Sequence, residues 1–286
     1  MKPAAFKYLA PGTVEEALAA LAEYGDDARP LAGGQSLVPL MNMRIARPAA
    51  LVDLNRVAGL DGAGVDGDAL VLGAMVRQSA AEADPLVAAH CPLLRQTLRF
   101  VGPPATKNRG TVGGSLAHAD PLAELPGAAL ALGAELVVES VRGRRTLGPE
   151  AFYIAELTTA LAPDELLREI RFPKAAADAR SAFVESGNRA EGPAVAGVAC
   201  TLRRDEAGSC RAIALAAIGV GPGPIRLGSA ERALTGEKPA APAIAAAAAA
   251  AGDDIDPRDD VHASARYRAR LTVALVRRAI ERALAA

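Results

Sequence analysis

The sequence predicts an α+β protein of two domains. The chain has 286 residues, about twice the roughly 150 typical of one domain. Residues 173–180 (Pro-Lys-Ala-Ala-Ala-Asp-Ala-Arg) are small, polar and without periodicity, which marks a boundary. Beyond them β-rich segments are followed by a block of helical ones, the order expected of a separate α+β domain. The division falls at 1–175 and 176–286.

In chain order, Thr13 and Glu16 form a capping box, and Ala17, Leu18 and Leu21 recur at helical spacing until Gly25, which predicts a first helix over Val14–Tyr24. Residues 29–32 read as a short strand entering Gly33-Gly34, and 35–43 as a helix that Arg47-Pro48 ends. Short strands are expected at 51–54 and 69–72, around a glycine-rich turn at 59–67. Helical patterns occupy 80–99 and 121–132, separated by a second glycine-rich turn over 110–115. A strand at 135–139 and a basic hairpin turn at 142–145 follow. In the second domain, 195–202 and 211–220 are β-rich, while 229–234, 241–252 and 266–285 are helical by spacing and composition.

Thirty-two basic residues against 33 acidic ones give a net charge of -1, so no overall field draws in nucleic acid or anionic lipid. Aromatics are 3% of the chain and Trp is absent, which removes the stacking platforms of single-strand binders. The alanine-rich stretch 240–251 contains Pro242 and is too short for a membrane span, and residues 1–10 lack the apolar run of a signal peptide, so a cytoplasmic protein is expected. Cys91, Cys200 and Cys210 are widely separated, with no C-x-x-C, and read as buried small hydrophobes. An iron–sulfur cluster of the chain's own is therefore not expected. His90, His118 and His262 are isolated and no metal site is expected; His118 is expected to order the glycine turn before it. Asp120 and Glu124 read as carboxylates capping a helix start, and Arg142, Arg144 and Arg145 as a solvated basic turn.

Among the glycine motifs, Gly62-Ala63-Gly64-Val65-Asp66-Gly67 matches G-x-G-x-x-G but leads into a strand rather than a helix, and so reads as a plain turn. Two others carry more chemistry: Ala32-Gly33-Gly34-Gln35-Ser36 and Thr111-Val112-Gly113-Gly114-Ser115. Glycine pairs permit positive φ and let backbone N–H groups approach an anion, and the hydroxyls of Ser36, Thr111 and Ser115 add uncharged donors. Each alone is compatible with a simple turn; together they suit a diphosphate.

These loops, with Met41-Asn42-Met43-Arg44-Ile45-Ala46-Arg47-Pro48, Leu51-Val52-Asp53-Leu54-Asn55, the run from Asn108 to Pro121 and His262-Ala263-Ser264-Ala265-Arg266-Tyr267-Arg268, resemble the FAD-binding medium subunit of the molybdenum hydroxylases, the carbon monoxide dehydrogenase and xanthine dehydrogenase group. The likeness covers nearly the whole chain. It implies a vanillyl-alcohol-oxidase-type FAD-binding domain of two α+β subdomains, followed by a smaller α+β C-terminal domain. It also implies noncovalent FAD, with residues 32–36 and 111–115 on the diphosphate, Val101 an apolar flavin contact, Glu124 an acidic FAD ligand and Leu167 packed on the adenine. Gly33→Asp or Gly114→Asp is accordingly expected to abolish FAD retention with the fold largely intact.

By the same resemblance no side chain here is a catalyst. Electrons arrive from a large subunit holding the molybdenum cofactor, through [2Fe-2S] clusters of a small subunit, and leave for an external acceptor such as a quinone, NAD or oxygen. The assembly implied is a dimer of heterotrimers. Two alternatives stand beside it: a stand-alone flavoenzyme resembling the enolpyruvyl-glucosamine reductases, and a structural subunit with a degenerate flavin site. The second draws on departures from the family pattern, with Val184, Gly192 and Pro193 where relatives carry a Lys, an acidic residue and an apolar flavin contact, and on Pro103 where many have His.

Overall fold

A computed structural model describes residues 2–189 and 192–286; Ala190 and Glu191, within the Phe183 to Ala194 segment, and Met1 lie outside the described residues. The N-terminal subdomain contains β1 (Lys7–Leu9), α1 (Val14–Tyr24), β2 (Ala28–Leu31), α2 (Leu37–Asn42) and β3 (Ala50–Asp53). Its sheet is parallel in the order β1-β3-β2, with Lys7 and Ala28 both registered on Ala50. The capping box of α1 is formed: Glu16 N donates to Thr13 Oγ1 at 3.2 Å and Thr13 N to Glu16 Oε2 at 3.3 Å. Val14, Ala17, Leu18 and Leu21 then face the sheet, as their i, i+3, i+4, i+7 spacing requires.

The middle subdomain is an antiparallel sheet in the order β4-β5-β10-β6-β7, covered by short helices. Its elements are β4 (Ala63–Asp66), β5 (Ala69–Gly73), α3 (Gln78–Ala83), α4 (Pro85–His90), α5 (Pro92–Leu98), α6 (Pro104–Arg109), α7 (Val112–His118), α8 (Glu124–Leu132), β6 (Glu135–Ser140), β7 (Gly143–Leu147), α9 (Pro149–Phe152), β8 (Tyr153–Ala155), β9 (Thr158–Thr159) and β10 (Leu166–Pro173). The helical pattern at 80–99 is three helices, because Pro85 and Pro92 each begin a new one and cannot continue the last. The G-x-G-x-x-G string is not a plain turn: it supplies β4, whose hairpin to β5 turns at Gly67 with φ +55°. Residues 110–115 also depart from the expected turn, since 112–115 form the first turns of α7.

Along β10, alternation sends Leu166 into the core of the N-terminal subdomain, where Met75 joins it, and Leu167 into that of the middle one. The two subdomains are thereby sealed together.

The C-terminal domain holds β11 (Arg180–Gly187), β12 (Ala194–Arg204), β13 (Cys210–Ile218), β14 (Ile225–Arg226), α10 (Gly228–Leu234), α11 (Ala241–Ala250) and α12 (Ala265–Ala285). Its sheet is antiparallel in that sequential order. One face, with Val184, Val198, Cys200 and Leu215, packs on the three helices; the other, with Phe183, Ala199, Ala216 and Ile218, packs on α5 and α8 through Leu93 and Leu130. Both faces are covered, which is why β12 reads as a continuous apolar run rather than an alternating one. Phe100 and Phe183 meet across this seam at 5.3 Å between ring centroids. All three cysteines are buried, and burial pushes the Cys91 thiol up to about 12. Among the described residues no helix is long and apolar enough to cross a membrane.

Candidate functional site

The first glycine loop leaves the carboxyl end of β2, the end at which ligands bind in parallel sheets. The second follows α6 and opens α7. Far apart in sequence, they touch in space. A methyl group on Gly33 would overlap the carbonyl oxygen of Arg109 and lie 2.8 Å from the Cα of Gly110. One on Gly114 would lie 3.2 Å from the Cβ of Ala32. Three of the four glycines are needed for space: Gly113 abuts Ala74 at 2.5 Å from the methyl it lacks, and Gly33, Gly113 and Gly114 are not among the positive-φ residues. Only Gly34, at φ +75°, is needed for conformation.

Side chains outside both motifs pin the junction. Asn55, just after β3, donates from Nδ2 to the Ala32 carbonyl at 3.0 Å and accepts from Arg77 Nη2 at 2.6 Å. Arg77 also donates to the Arg109 carbonyl, and Gln78 N donates to Gly110 O at 3.0 Å. Arg77 and Thr111 form an isolated β-bridge. Asn55 could have been singled out, since it ends one of the family-like motifs. Nothing in the spacing around Arg77 or Gln78 marks them.

The two loops offer different chemistry. In the first, the amides of Gly33, Gly34, Gln35 and Ser36 donate to no acceptor among the described residues, and Gln35 and Ser36 are exposed. In the second, the amides are already engaged: Val112 with Val76 O at 2.9 Å, Gly113 with Ala74 O at 3.0 Å, Gly114 with Thr111 Oγ1 at 2.9 Å and Ser115 with Thr111 O at 3.2 Å. Thr111 is buried and its hydroxyl oxygen caps α7, so it shapes the loop instead of fronting it. Backbone donation is thus confined to the first loop, and the second contributes close backbone approach and the half-buried Ser115.

The other predicted residues lie deeper. Val101, 7% exposed, and Leu167, 3% exposed, sit in the middle core with Leu98, Val112 and Leu116. Glu124 begins α8 and is 8% exposed, and burial followed by the nearby Asp120 charge pushes its carboxyl up to about 7. Neither acid caps the helix: Ala123 occupies the cap, and Asp120 Oδ1 accepts from Leu122 N at 2.8 Å in the turn before it. The His118 side chain makes no hydrogen bond among the described residues, so it does not order the glycine loop by hydrogen bonding. The expected basic turn is in part strand, since Arg144 and Arg145 lie in β7, and all three arginines are paired, Arg142 with Asp164, Arg144 with Glu139 and Arg145 with Glu165. Val184 faces the C-terminal core, away from the seam, and strand alternation puts Glu185 on the opposite face with Phe183. No group of three potential metal ligands occurs among the described residues.

Residues 4–175 match the family model of the FAD binding domain in molybdopterin dehydrogenase, and residues 181–283 that of the CO dehydrogenase flavoprotein C-terminal domain. The chain belongs to this flavoprotein family. It is 38% identical over 284 residues to the 6-hydroxypseudooxynicotine dehydrogenase complex subunit alpha of Paenarthrobacter nicotinovorans, covering 99% of this chain and 96% of that one. It is 34% identical to the carbon monoxide dehydrogenase medium chain of Hydrogenophaga pseudoflava, covering 100% and 99%. A solved structure of the carbon monoxide dehydrogenase from that organism superposes with a TM-score of 0.97 at 36% identity, over 100% of this chain and 99% of the other. The family's members include medium subunits of multi-subunit dehydrogenases, and the expected α+β fold with its FAD-binding domain stands.

Proposed function

We propose that this chain is the electron relay of a molybdenum-containing dehydrogenase, with FAD held across the junction of its two glycine loops. The observation that carries this is the contact of Gly33 with Arg109–Gly110 beside a row of uncommitted backbone amides. The residues fit the cofactor: a Cβ would fill the cradle at Gly33 and at Gly114, and the amides of residues 33–36 are neutral donors suited to a diphosphate. The Arg77 guanidinium, held against the Arg109 carbonyl, adds positive charge beside the loop. The hydroxyls of Ser36 and Ser115 supplement these donors, Ala32 and Gly34 shape the cradle, and Val101 and Leu167 back it from the middle core.

When bound, the flavin supplies one- and two-electron chemistry, while the chain's residues bind it, orient it and exclude water. The relay reading places electron entry at iron–sulfur clusters of a small subunit, ultimately from a molybdenum centre in a large one, with exit to a quinone, NAD or oxygen. A dimer of heterotrimers, the division at 1–175 and 176–286, and a cytoplasmic location belong to the same reading. The aperiodic segment between β10 and β11 supports the division, and the three buried free thiols support a reducing compartment.

The chain purified after incubation with FAD is expected to be yellow, to hold about one FAD per chain, and to release it on denaturation. Absence of bound flavin after such loading overturns the reading. Asn55→Ala and Arg77→Ala are each expected to weaken FAD binding about tenfold, roughly 1.4 kcal/mol, by freeing the first loop from the second. Isothermal titration with FAD measures this; unchanged affinity in both variants would show that the loops do not need the tie.

A further inference from the structure

β3 ends at Asp53, a carboxylate only 9% exposed on which three donors converge. Tyr8 of β1 donates its hydroxyl to Oδ2, while Oδ1 accepts from Asn55 N at 3.0 Å and from Asn55 Nδ2. All three donors are neutral. Burial alone would raise this carboxyl, but the bonds from Tyr8 and Asn55 outweigh burial and hold it below its ordinary value. The group is therefore an anion at neutral pH, held in one orientation from two strands and from the short turn Leu54–Arg56 that it caps.

Such an anion fixes the sense of its neighbour's amide. Asn55 can turn either its side-chain oxygen or its nitrogen toward a given partner. An ionised carboxylate only accepts, so Nδ2 turns to Asp53; a guanidinium only donates, and Arg77 Nη2 meets Asn55 Oδ1 at 2.6 Å. With both ends assigned, Nδ2 has one hydrogen left, and it goes to the Ala32 carbonyl at 3.0 Å. Ala32 opens the loop whose amides at 33–36 are uncommitted, and Arg77 carries the line on to the Arg109 carbonyl that Gly33 abuts. The Asp53 side chain is thus joined by hydrogen bonds to the first glycine loop, two bonds away, and Asn55 is the link.

We propose that Asp53 is a positioning residue for FAD: it orients the Asn55 amide, and through Asn55 it sets the Ala32 carbonyl and the donor amides that follow. Tyr8 anchors the carboxylate from β1, so a strand remote from both glycine loops also takes part. Neither side chain is a ligand of the cofactor. The inference rests on the FAD reading above and deepens it.

The test uses the full chain as wild type, Asp53→Ala, Asp53→Asn, Asn55→Ala and the double variant Asp53→Ala/Asn55→Ala. Isothermal titration reads FAD affinity, and thermal unfolding of the FAD-free protein reads stability. Asp53→Ala should weaken FAD binding about fivefold, somewhat less than Asn55→Ala, because Arg77 still holds the Asn55 oxygen. Asp53→Asn should recover affinity to within about twofold of wild type, since its oxygen still accepts from Asn55 while its nitrogen donates to the Tyr8 hydroxyl. The double variant should match Asn55→Ala in affinity to within about twofold, yet unfold at a lower temperature, because the Tyr8 contact is lost as well. Independent effects would instead multiply to about fiftyfold in the double variant, and that result overturns the proposal. So does a wild-type affinity in Asp53→Ala, or a loss in Asp53→Asn as large as in Asp53→Ala. Should Asp53→Ala not fold, Tyr8→Phe replaces it: a loss of about threefold in wild type and none in the Asn55→Ala background supports the proposal, and equal losses in both overturn it. Each of these failures leaves the FAD reading standing, whereas a wild-type chain that binds no FAD overturns that reading itself.

Discussion

Gly33→Ala is expected to strip FAD from the protein. The added methyl would overlap the Arg109 carbonyl oxygen and press on the Gly110 Cα, and neither is free to retreat. The Arg109 carbonyl accepts from Arg77, Gly110 O accepts from Gln78 N, and Val112 N is tied to Val76 O. The first loop must therefore move away from the second, and donors displaced by about an ångström lose most of their grip on an oriented ligand. Overpacking of this kind costs about 1–3 kcal/mol, or roughly 3–10 °C in Tm for a chain of this size. Bound FAD should fall to less than about a tenth of wild type, read from the absorbance ratio of flavin to protein. Gly64→Ala is the matched control: it lies in the G-x-G-x-x-G string, nothing stands within 4 Å of its added methyl, and it should keep both FAD and Tm. Wild-type FAD content in Gly33→Ala would remove the basis for a paired-loop site. The steric cost also revises the expectation for Gly33→Asp, since even the smallest side chain strains the fold there.

This result also shows which parts of the molecule could be read in advance. The helix α1 was legible because its signals are local, a reciprocal cap and apolar residues at i, i+3, i+4 and i+7, whereas 80–99 reads as one helical pattern although Pro85 and Pro92 each begin a new helix within it. The chemistry of the two glycine loops was legible as composition, but not the division of labour between them. Glycine is a poor helix former by about 1 kcal/mol, so 111–115 reads as a turn. Contacts from elsewhere override that cost: Gly113 fits against Ala74 and donates to its carbonyl. Asn55 and Arg77 were invisible as a tie because their pairing is made by tertiary folding alone. The side of the sheet on which Glu185 lies carries no local sequence signal for a different reason. A one-residue change in strand phase exchanges the two faces, and the phase of β11 is set by which residues find the C-terminal helices.

Arg268→Ala should produce the largest loss of stability away from the glycine loops. This side chain, 2% exposed at the first turns of α12, donates from Nη1 to Gly219 O at 3.0 Å and to the Val195 carbonyl, and from Nη2 to Asp260 Oδ2 at 2.5 Å. Asp260 in turn accepts from His262 N at 2.8 Å and Ala263 N at 2.9 Å, so one guanidinium joins α12, the start of β12, the turn after β13 and the segment leading into α12. Removing it leaves two buried carbonyls short of a donor, at a cost of about 2–4 kcal/mol in thermal or denaturant unfolding. Arg268→Lys should recover less than half of this, because an ammonium is a point charge without the planar fork that serves three acceptors. The pH dependence follows from Asp260, whose carboxyl the Arg268 hydrogen bond holds down at about 2. A depressed carboxyl contributes its stability above its unfolded value near 3.9 and loses it as pH falls through the folded one. The gap between wild type and Arg268→Ala should therefore narrow between about pH 4 and pH 2, without closing, since the carbonyl contacts do not titrate. A loss under about 1 kcal/mol, or full rescue by lysine, would assign the clamp a lesser role. Gly219 also donates to Pro121 O at 2.8 Å, in the turn that carries Asp120 and leads to Glu124, so the same variant should loosen the seam and lower FAD occupancy without touching either glycine loop.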